Sequence, residues 1–247
     1  MRYIIQIHVS QNNVHTDICI TNTLITASVN NKPDIVPCGR WGQTLTMIDK
    51  NRMILYGGQC LNKNEDFENL KKRTWKEPVT NNSDVGRCWH TSNYIHDRHL
   101  LITIGGESNG KQMEEVMVLD TEIMLWWRPV MSGTAPSGRS GHSSSYLPNF
   151  NSLVVFGGVK KKWLNTISIL DVDCWHWSVP SIVGNPPPPR SYHSATVIGK
   201  KRIVIFGGNG ESTCYNSVHV LDQISDVKFA WSHPNMSGKA PGKLSQP

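Results

Sequence analysis

The sequence predicts an all-β protein built from repeated, stacked sheets. "RIVIFGG" at 202–208 is nearly rewritten as "SLVVFGG" at 152–158, "LLITIGG" at 100–106 and "RMILYGG" at 52–58. The diglycines Gly57-Gly58, Gly105-Gly106, Gly157-Gly158 and Gly207-Gly208 are separated by 48, 52 and 50 residues. Self-similarity at a period of roughly 20–50 residues marks a repeat architecture. No useful length of helical periodicity interrupts the repeats, so each unit must be assembled from short strands.

Each unit reads as four strands, a to d. Strand a begins at Arg40, Arg87, Arg139 or Arg190, 17 or 18 residues before the first glycine, and carries His90, His142 or His193 three residues on; Gln43 stands there in the first unit. Strand b is the apolar run that ends at the diglycine. Such runs, bounded by turn residues, are buried strands, and the glycines let the chain leave where a side chain would clash. Strand c ends in Leu-Asp: "VMVLD" to Asp120, "ISILD" to Asp171, "VHVLD" to Asp222. Strand d carries tryptophan, with Trp75, Trp126, Trp175 and Trp231 as the repeat positions and Trp127 and Trp177 beside them. One such sheet cannot bury both faces alone. Stacking sheets radially, with indoles filling the gaps, does so and gives a β-propeller.

The diglycine, the Arg-x-x-His lead, the Leu-Asp strand and the spaced tryptophans together resemble the kelch repeat. The resemblance covers about residues 37–234 in four full four-stranded blades: 37–85, 86–135, 136–188 and 189–238. Residues 1–36 read as a degenerate partial N-terminal blade, with "YIIQIHV" as strand b, "VHTDICI" as strand c and "TLITASV" as strand d; 239–247 read as a divergent tail within the same propeller domain. Kelch propellers close with five to seven blades. Two readings follow: closure as five blades, or a fragment of a larger propeller, which the weak first blade and divergent tail favour.

The formal charge is +6 and the pI about 9.0, a modest excess that matters only if it clusters. Six cysteines show no two-residue spacing of a zinc knuckle or redox dithiol, and read as reduced thiols of a cytoplasmic or nuclear protein. "MRYIIQIHV" is too short for a signal h-region and no apolar run reaches the ~20 residues of a membrane helix, so no membrane partner is expected.

By its resemblance to peptide-binding kelch proteins, the chain implies a partner site on the channel face: Arg40, Arg87, Arg139 and Arg190, with Ser140 and Ser191 beside two of them. Guanidinium groups next to hydroxyls suit an acidic or C-terminal carboxylate. The alternative is that these arginines bond carbonyls, or the Leu-Asp carboxylates, within the repeat. On the same face, "VKKKWLN" sets Lys161 beside Trp163, a cation–aromatic composition typical of interface hot spots, against the alternative of a solvated hairpin with Trp163 folded back. "KKR" at 71–73 and at 200–202 belongs to the opposite face. Charge thus scattered over two faces disfavours nucleic acid.

His90, His142 and His193 recur with the period of the fold, which explains them without a metal, and no cofactor is expected. There is no GxxxxGK loop, no supported Ser-His-Asp set, and no helix after the diglycines for a nucleotide. The expectation is a non-enzymatic adaptor, scaffold or substrate-recognition propeller that binds a protein or peptide. The alternatives are a metal-dependent propeller enzyme similar to galactose oxidase, and a truncated, non-functional isoform.

Overall fold

The computed structural model describes residues 40–50, 52–59, 80, 86–235 and 237–238, and the backbone of 25–28 and 74–76. The chain is all-β and divides into two compact units, residues 1–78 and 79–247. The predicted strands "YIIQIHV" and "VHTDICI", the tail 239–247 and the basic tip 71–73 lie outside the described residues.

In the first unit, β1 (Ile25–Ser28), β2 (Thr44–Met47), β3 (Met53–Tyr56) and β4 (Thr74–Lys76) form one antiparallel sheet in the order β2-β3-β1-β4. This corrects the reading of "TLITASV" as strand d of a separate blade. β1 pairs with β3 through Ile25↔Leu55 and with β4 through Ala27↔Trp75, and so takes the place of strand c. The reason is legible in composition. The segment "CLNKNEDFENLKKR" at 60–73 holds no apolar Leu-Asp run to fill that place, whereas "ITAS" is short, uncharged and half β-branched.

Among the described residues the second unit holds three large sheets and one two-stranded ladder. The first contains β5 (Thr91–Ile95) and β6 (Leu100–Ile104); the small ladder β7 (Glu107–Ser108) and β8 (Lys111–Gln112) follows; β9 (Val116–Asp120) and β10 (Leu125–Trp127) complete the order β10-β9-β6-β5. The next sheet is β11 (Ser132–Gly133), β12 (Ser143–Leu147), β13 (Ser152–Phe156), β14 (Ile167–Asp171) and β15 (His176–Ser178), in the order β11-β15-β14-β13-β12. The last is β16 (Ser181–Val183), β17 (Ser194–Ile198), β18 (Arg202–Phe206), β19 (Val218–Gln223) and β20 (Lys228–Ser232), in the order β16-β20-β19-β18-β17.

These sheets stack face to face. Leu153 and Val155 of β13 pack with Ile102, Ile104, Val116 and Val118 of the preceding sheet, while Val154 and Phe156 pack with Ile203, Ile205 and Trp231 of the following one. A strand covered on both faces has no polar side, which is why "SLVVF" does not alternate and is buried throughout. The Leu-Asp aspartates end strand c and order its turn: Asp120 accepts from the amides of Glu122 and Ile123, and Asp171 from those of Asp173 and Cys174.

Two features depart from the sequence reading. β11 and β16 are short outer strands that run parallel to β15 and β20, so the crossovers themselves extend the sheets. Gly133 and Gly184 make this possible: a Cβ there would stand 2.0 Å from the Trp177 carbonyl and 2.4 Å from that of Trp231. The second departure is the repeat tryptophan of the third unit, which is Trp177 and not Trp175. Trp126, Trp177 and Trp231 share one register, opposite Leu119, Leu170 and Leu221, and all three are buried. Trp175 sits in the c–d turn at φ +53 and meets Trp127 edge-on at 5.4 Å. Trp177→Ala should therefore cost about 3–5 kcal/mol, the range for a buried aromatic. Trp175→Ala should cost less than half of that, and urea unfolding of the two variants checks the order.

Candidate functional site

The site begins with the diglycines. All eight of these glycines have φ between +62 and +99, two consecutive left-handed residues at the end of each strand b. Space demands glycine as well. A Cβ on Gly106 would meet the Cys88 carbonyl at 2.7 Å, and one on Gly158 would meet His142 Cβ at 2.8 Å. Against the next sheet, a Cβ on Gly105 would lie 2.9 Å from the Arg139 carbonyl, and one on Gly157 2.7 Å from that of Arg190.

Each turn presents the carbonyl of its first glycine to the arginine of its own unit. Nη1 of Arg40, Arg87, Arg139 and Arg190 donates to Gly57, Gly105, Gly157 and Gly207 at 2.8, 3.0, 3.0 and 2.8 Å. Arg87, Arg139 and Arg190 are 2%, 4% and 0% exposed. They do not stand open at a channel mouth as the resemblance implied, and of the two alternatives inside the repeat it is the carbonyl, not the Leu-Asp carboxylate, that they bond. Arg139 Nη1 also reaches Thr166 Oγ1 at 3.1 Å, and Arg190 lies 4.4 Å from the centre of the Tyr215 ring. Burial pulls the Arg139 guanidinium down to about 10 and lowers that of Arg190, so the interior retains these charges at some cost.

Ser140 and Ser191 are buried and join their units through the main chain, Ser140 to Val159 and Ser191 to Asn209. The Ser191 hydroxyl has no hydrogen-bond partner among the described residues. Lys161 is exposed at the tip of the b–c hairpin 159–163, where Val159 bridges Trp163. Trp163 is half-buried, with its Nε1–H enclosed and without a partner among the described residues. Ser191, Tyr192 and the next b–c hairpin, 209–214, complete a cleft of about 270 Å³ around it. On the opposite side of the sheets Lys200 and Lys201 are exposed, whereas Arg202 is held by Asp222 at 2.7 and 3.2 Å.

The residue two places after each arginine escaped the sequence reading. It is Gly42, Trp89, Gly141 and Tyr192 in turn, at φ +72, +57, +63 and +54. The backbone of the repeat requires a left-handed residue there; glycine adopts it freely, and any other L-residue costs about 1–2 kcal/mol. Tyr192 packs over Gly141, where a Cβ would meet its ring at 2.8 Å, and meets Trp89 edge-on at 4.9 Å. Gly141 donates to the Trp89 carbonyl at 3.0 Å, and Tyr192 N donates to the Gly141 carbonyl at 2.7 Å. The alternation Gly, Trp, Gly, Tyr was the available signal.

The repeat histidines bond across sheets. His142 Nε2 lies 3.2 Å from Thr91 Oγ1, and His193 Nε2 lies 2.8 Å from Ser143 Oγ. Among the described residues no group of three or more His, Cys, Asp or Glu side chains is placed to hold a metal ion. Burial, reinforced by the neighbouring arginines, pulls His90, His142 and His193 down to about 3, so all three are neutral at pH 7.

The unfolded chain binds protons on these rings below about pH 6.5 and the folded chain does not, so stability is complete above that pH and falls as pH drops toward 3. Each ring contributes about 1.4 kcal/mol per pH unit in that window. His142→Gln, with the residue the first unit already uses, should gain about 2–3 kcal/mol relative to the parent between pH 6.5 and 4.5. Urea midpoints at the two pH values measure it, and parallel lines for parent and variant would contradict it.

The comparisons agree with this architecture. A family model described as the KLHDC2/KLHL20/DRC7 Kelch-repeats domain matches residues 8–149 and 99–246. Acyl-CoA-binding domain-containing protein 5 of Arabidopsis thaliana is 32% identical over 212 residues, which cover 78% of this chain and 32% of that protein. The bovine Rab9 effector protein with kelch motifs is 27% identical over 72% of this chain and 49% of its own length. Dynein regulatory complex subunit 7 of Chlamydomonas reinhardtii is 34% identical over 50% of this chain and 11% of its own length. The chain spans about a third of the Arabidopsis relative and half or less of the other two. With matching diglycine turns, Arg-x-x-His leads and tryptophan strands in place, this chain belongs to the kelch-repeat family.

Proposed function

We propose that the chain is a non-enzymatic protein-interaction module that receives a partner protein or peptide of acidic character on the face bearing the b–c hairpins. The observation that carries this reading is the division of labour in the repeat. Arg87, Arg139 and Arg190, and the backbones of Ser140 and Ser191, fix the base of the hairpins. The hairpin tips are left to vary, as loops on a rigid scaffold do where binding is the task. Lys161 and Trp163 make the contact; Arg87, Arg139, Arg190, Ser140 and Ser191 of the same unit position it.

The relatives' names point the same way: one is an effector of Rab9 and another a subunit of a dynein regulatory complex. The cleft beside Trp163, at about 270 Å³, is smaller than the ~300–1,000 Å³ usual for small-molecule sites. It suits one or two residues of a peptide.

Charge placement gives the test. Proteins captured by the tagged chain are quantified by mass spectrometry for Lys161→Glu/Lys162→Glu and for Lys200→Glu/Lys201→Glu, both at exposed tips. The first pair should reduce specific capture at least tenfold, and the second should leave it within twofold. The reverse pattern would move the partner to the opposite face.

A further inference from the structure

Trp89 and Tyr192 place large aromatic rings at a backbone position that the repeat fills with glycine in its other two units. Strain of this kind persists where something else is gained. Packing within the fold does not use the rings fully, since both remain partly exposed. They touch each other across Gly141, and Tyr192 continues into the cleft lined by Trp163, Ser191 and Glu211.

Two residues lining the same cleft each carry an enclosed polar group with no partner among the described residues: the Trp163 Nε1–H, which can only donate, and the hydroxyl of Ser191, a residue 1% exposed. On the hairpin above, Lys160 pairs with Glu114 at 3.6 Å, while Lys161 and Lys162 are exposed with no acidic partner among the described residues. Glu211 is the one acidic side chain in the cleft wall.

We propose that Trp89 and Tyr192 form an aromatic platform, continuous with the Trp163 cleft, that seats an extended acidic peptide. This deepens the reading above and rests on it. Stacking on the rings holds the peptide's main chain and apolar atoms, which aromatic side chains do at low entropic cost. The peptide's carboxylates reach Lys161 and Lys162, and a basic peptide is repelled by the same hairpin.

The test uses the indole N–H signals of the ¹⁵N-labelled full chain. The probes are three blocked peptides, acetyl-Gly-Glu-Ala-Glu-Gly-amide and its Gln-for-Glu and Lys-for-Glu versions, each titrated to millimolar concentration. The Glu peptide should shift the Trp89 and Trp163 indole signals saturably, the Gln peptide should bind at least threefold more weakly, and the Lys peptide should shift neither. Trp89→Gly and Tyr192→Gly introduce the residue the repeat itself uses at this position. Both variants should melt within about 3 °C of the parent yet bind the Glu peptide at least fivefold more weakly.

Equal response to all three peptides, or none to any, overturns the proposal. So does a fall in melting temperature of either glycine variant beyond 5 °C, which would make the rings structural. If the hairpin 159–163 amides respond to the Glu peptide equally in parent and glycine variants, the platform falls while the partner face stands. If capture instead fails to depend on Lys161 and Lys162, it is the face itself that fails.

Discussion

Arg139 shows in one residue what the stacked sheets depend on. Its carbonyl accepts the Gly106 amide of the preceding sheet at 2.9 Å, and its guanidinium donates to the Gly157 carbonyl of its own. Arg190 repeats the arrangement, accepting from Gly158 at 2.8 Å and donating to Gly207. These two arginines thus each fasten two successive diglycine turns. The turns must be left-handed to aim a carbonyl at the arginine, and bare of Cβ to let the neighbouring backbone approach. A buried guanidinium is expensive unless its donors are used. Here Arg139 and Arg190 use theirs on the main-chain oxygens of the turn and of the residue two before, and on the side chains of Thr166, Ser217 and His219.

From this constraint the rest follows. Fixed sheets bring the histidines of one strand a within reach of hydroxyls on the strand a before it, and enclosure next to the arginines keeps those rings neutral. The same rigidity leaves the b–c hairpins free to differ. One unit carries lysines and a tryptophan there, the next a glutamate and hydroxyls. The proposed partner site draws on these tips and on Trp89 and Tyr192, two residues after their arginines, so function and fold would occupy adjacent residues without competing for them.

Much of this was legible in the sequence, because a periodic fold writes its rules several times. The diglycines lie where four copies put them, and the Arg-x-x-His leads and the Leu-Asp strands where three do. What escaped were the features that occur once or that depend on distance. The exchange of β1 into the first sheet turns on a missing apolar run, an absence that periodicity does not score. Two tryptophans two residues apart, Trp175 and Trp177, cannot be ranked until register shows which one faces the core. The arginines lie a few residues before β2, β5, β12 and β17, and their direction was not readable: a guanidinium suits a ligand carboxylate and a turn carbonyl equally well, and only burial separates the two. Trp89 and Tyr192 looked like ordinary aromatic residues until their backbone angles were known.

The central claim, that the arginine and the diglycine turn act as one clamp, is tested most directly by a double-mutant cycle. Unfolding free energies are measured by urea for Arg139→Gln, Gly158→Ala and the combined variant, with the parent as reference. If the clamp is one device, each single change is costly, and the two together cost less than their sum by about 1–3 kcal/mol, the coupling expected of residues that share an interaction. Additive effects, or single changes that each cost under about 0.5 kcal/mol, the scale of ordinary surface substitutions, would contradict it.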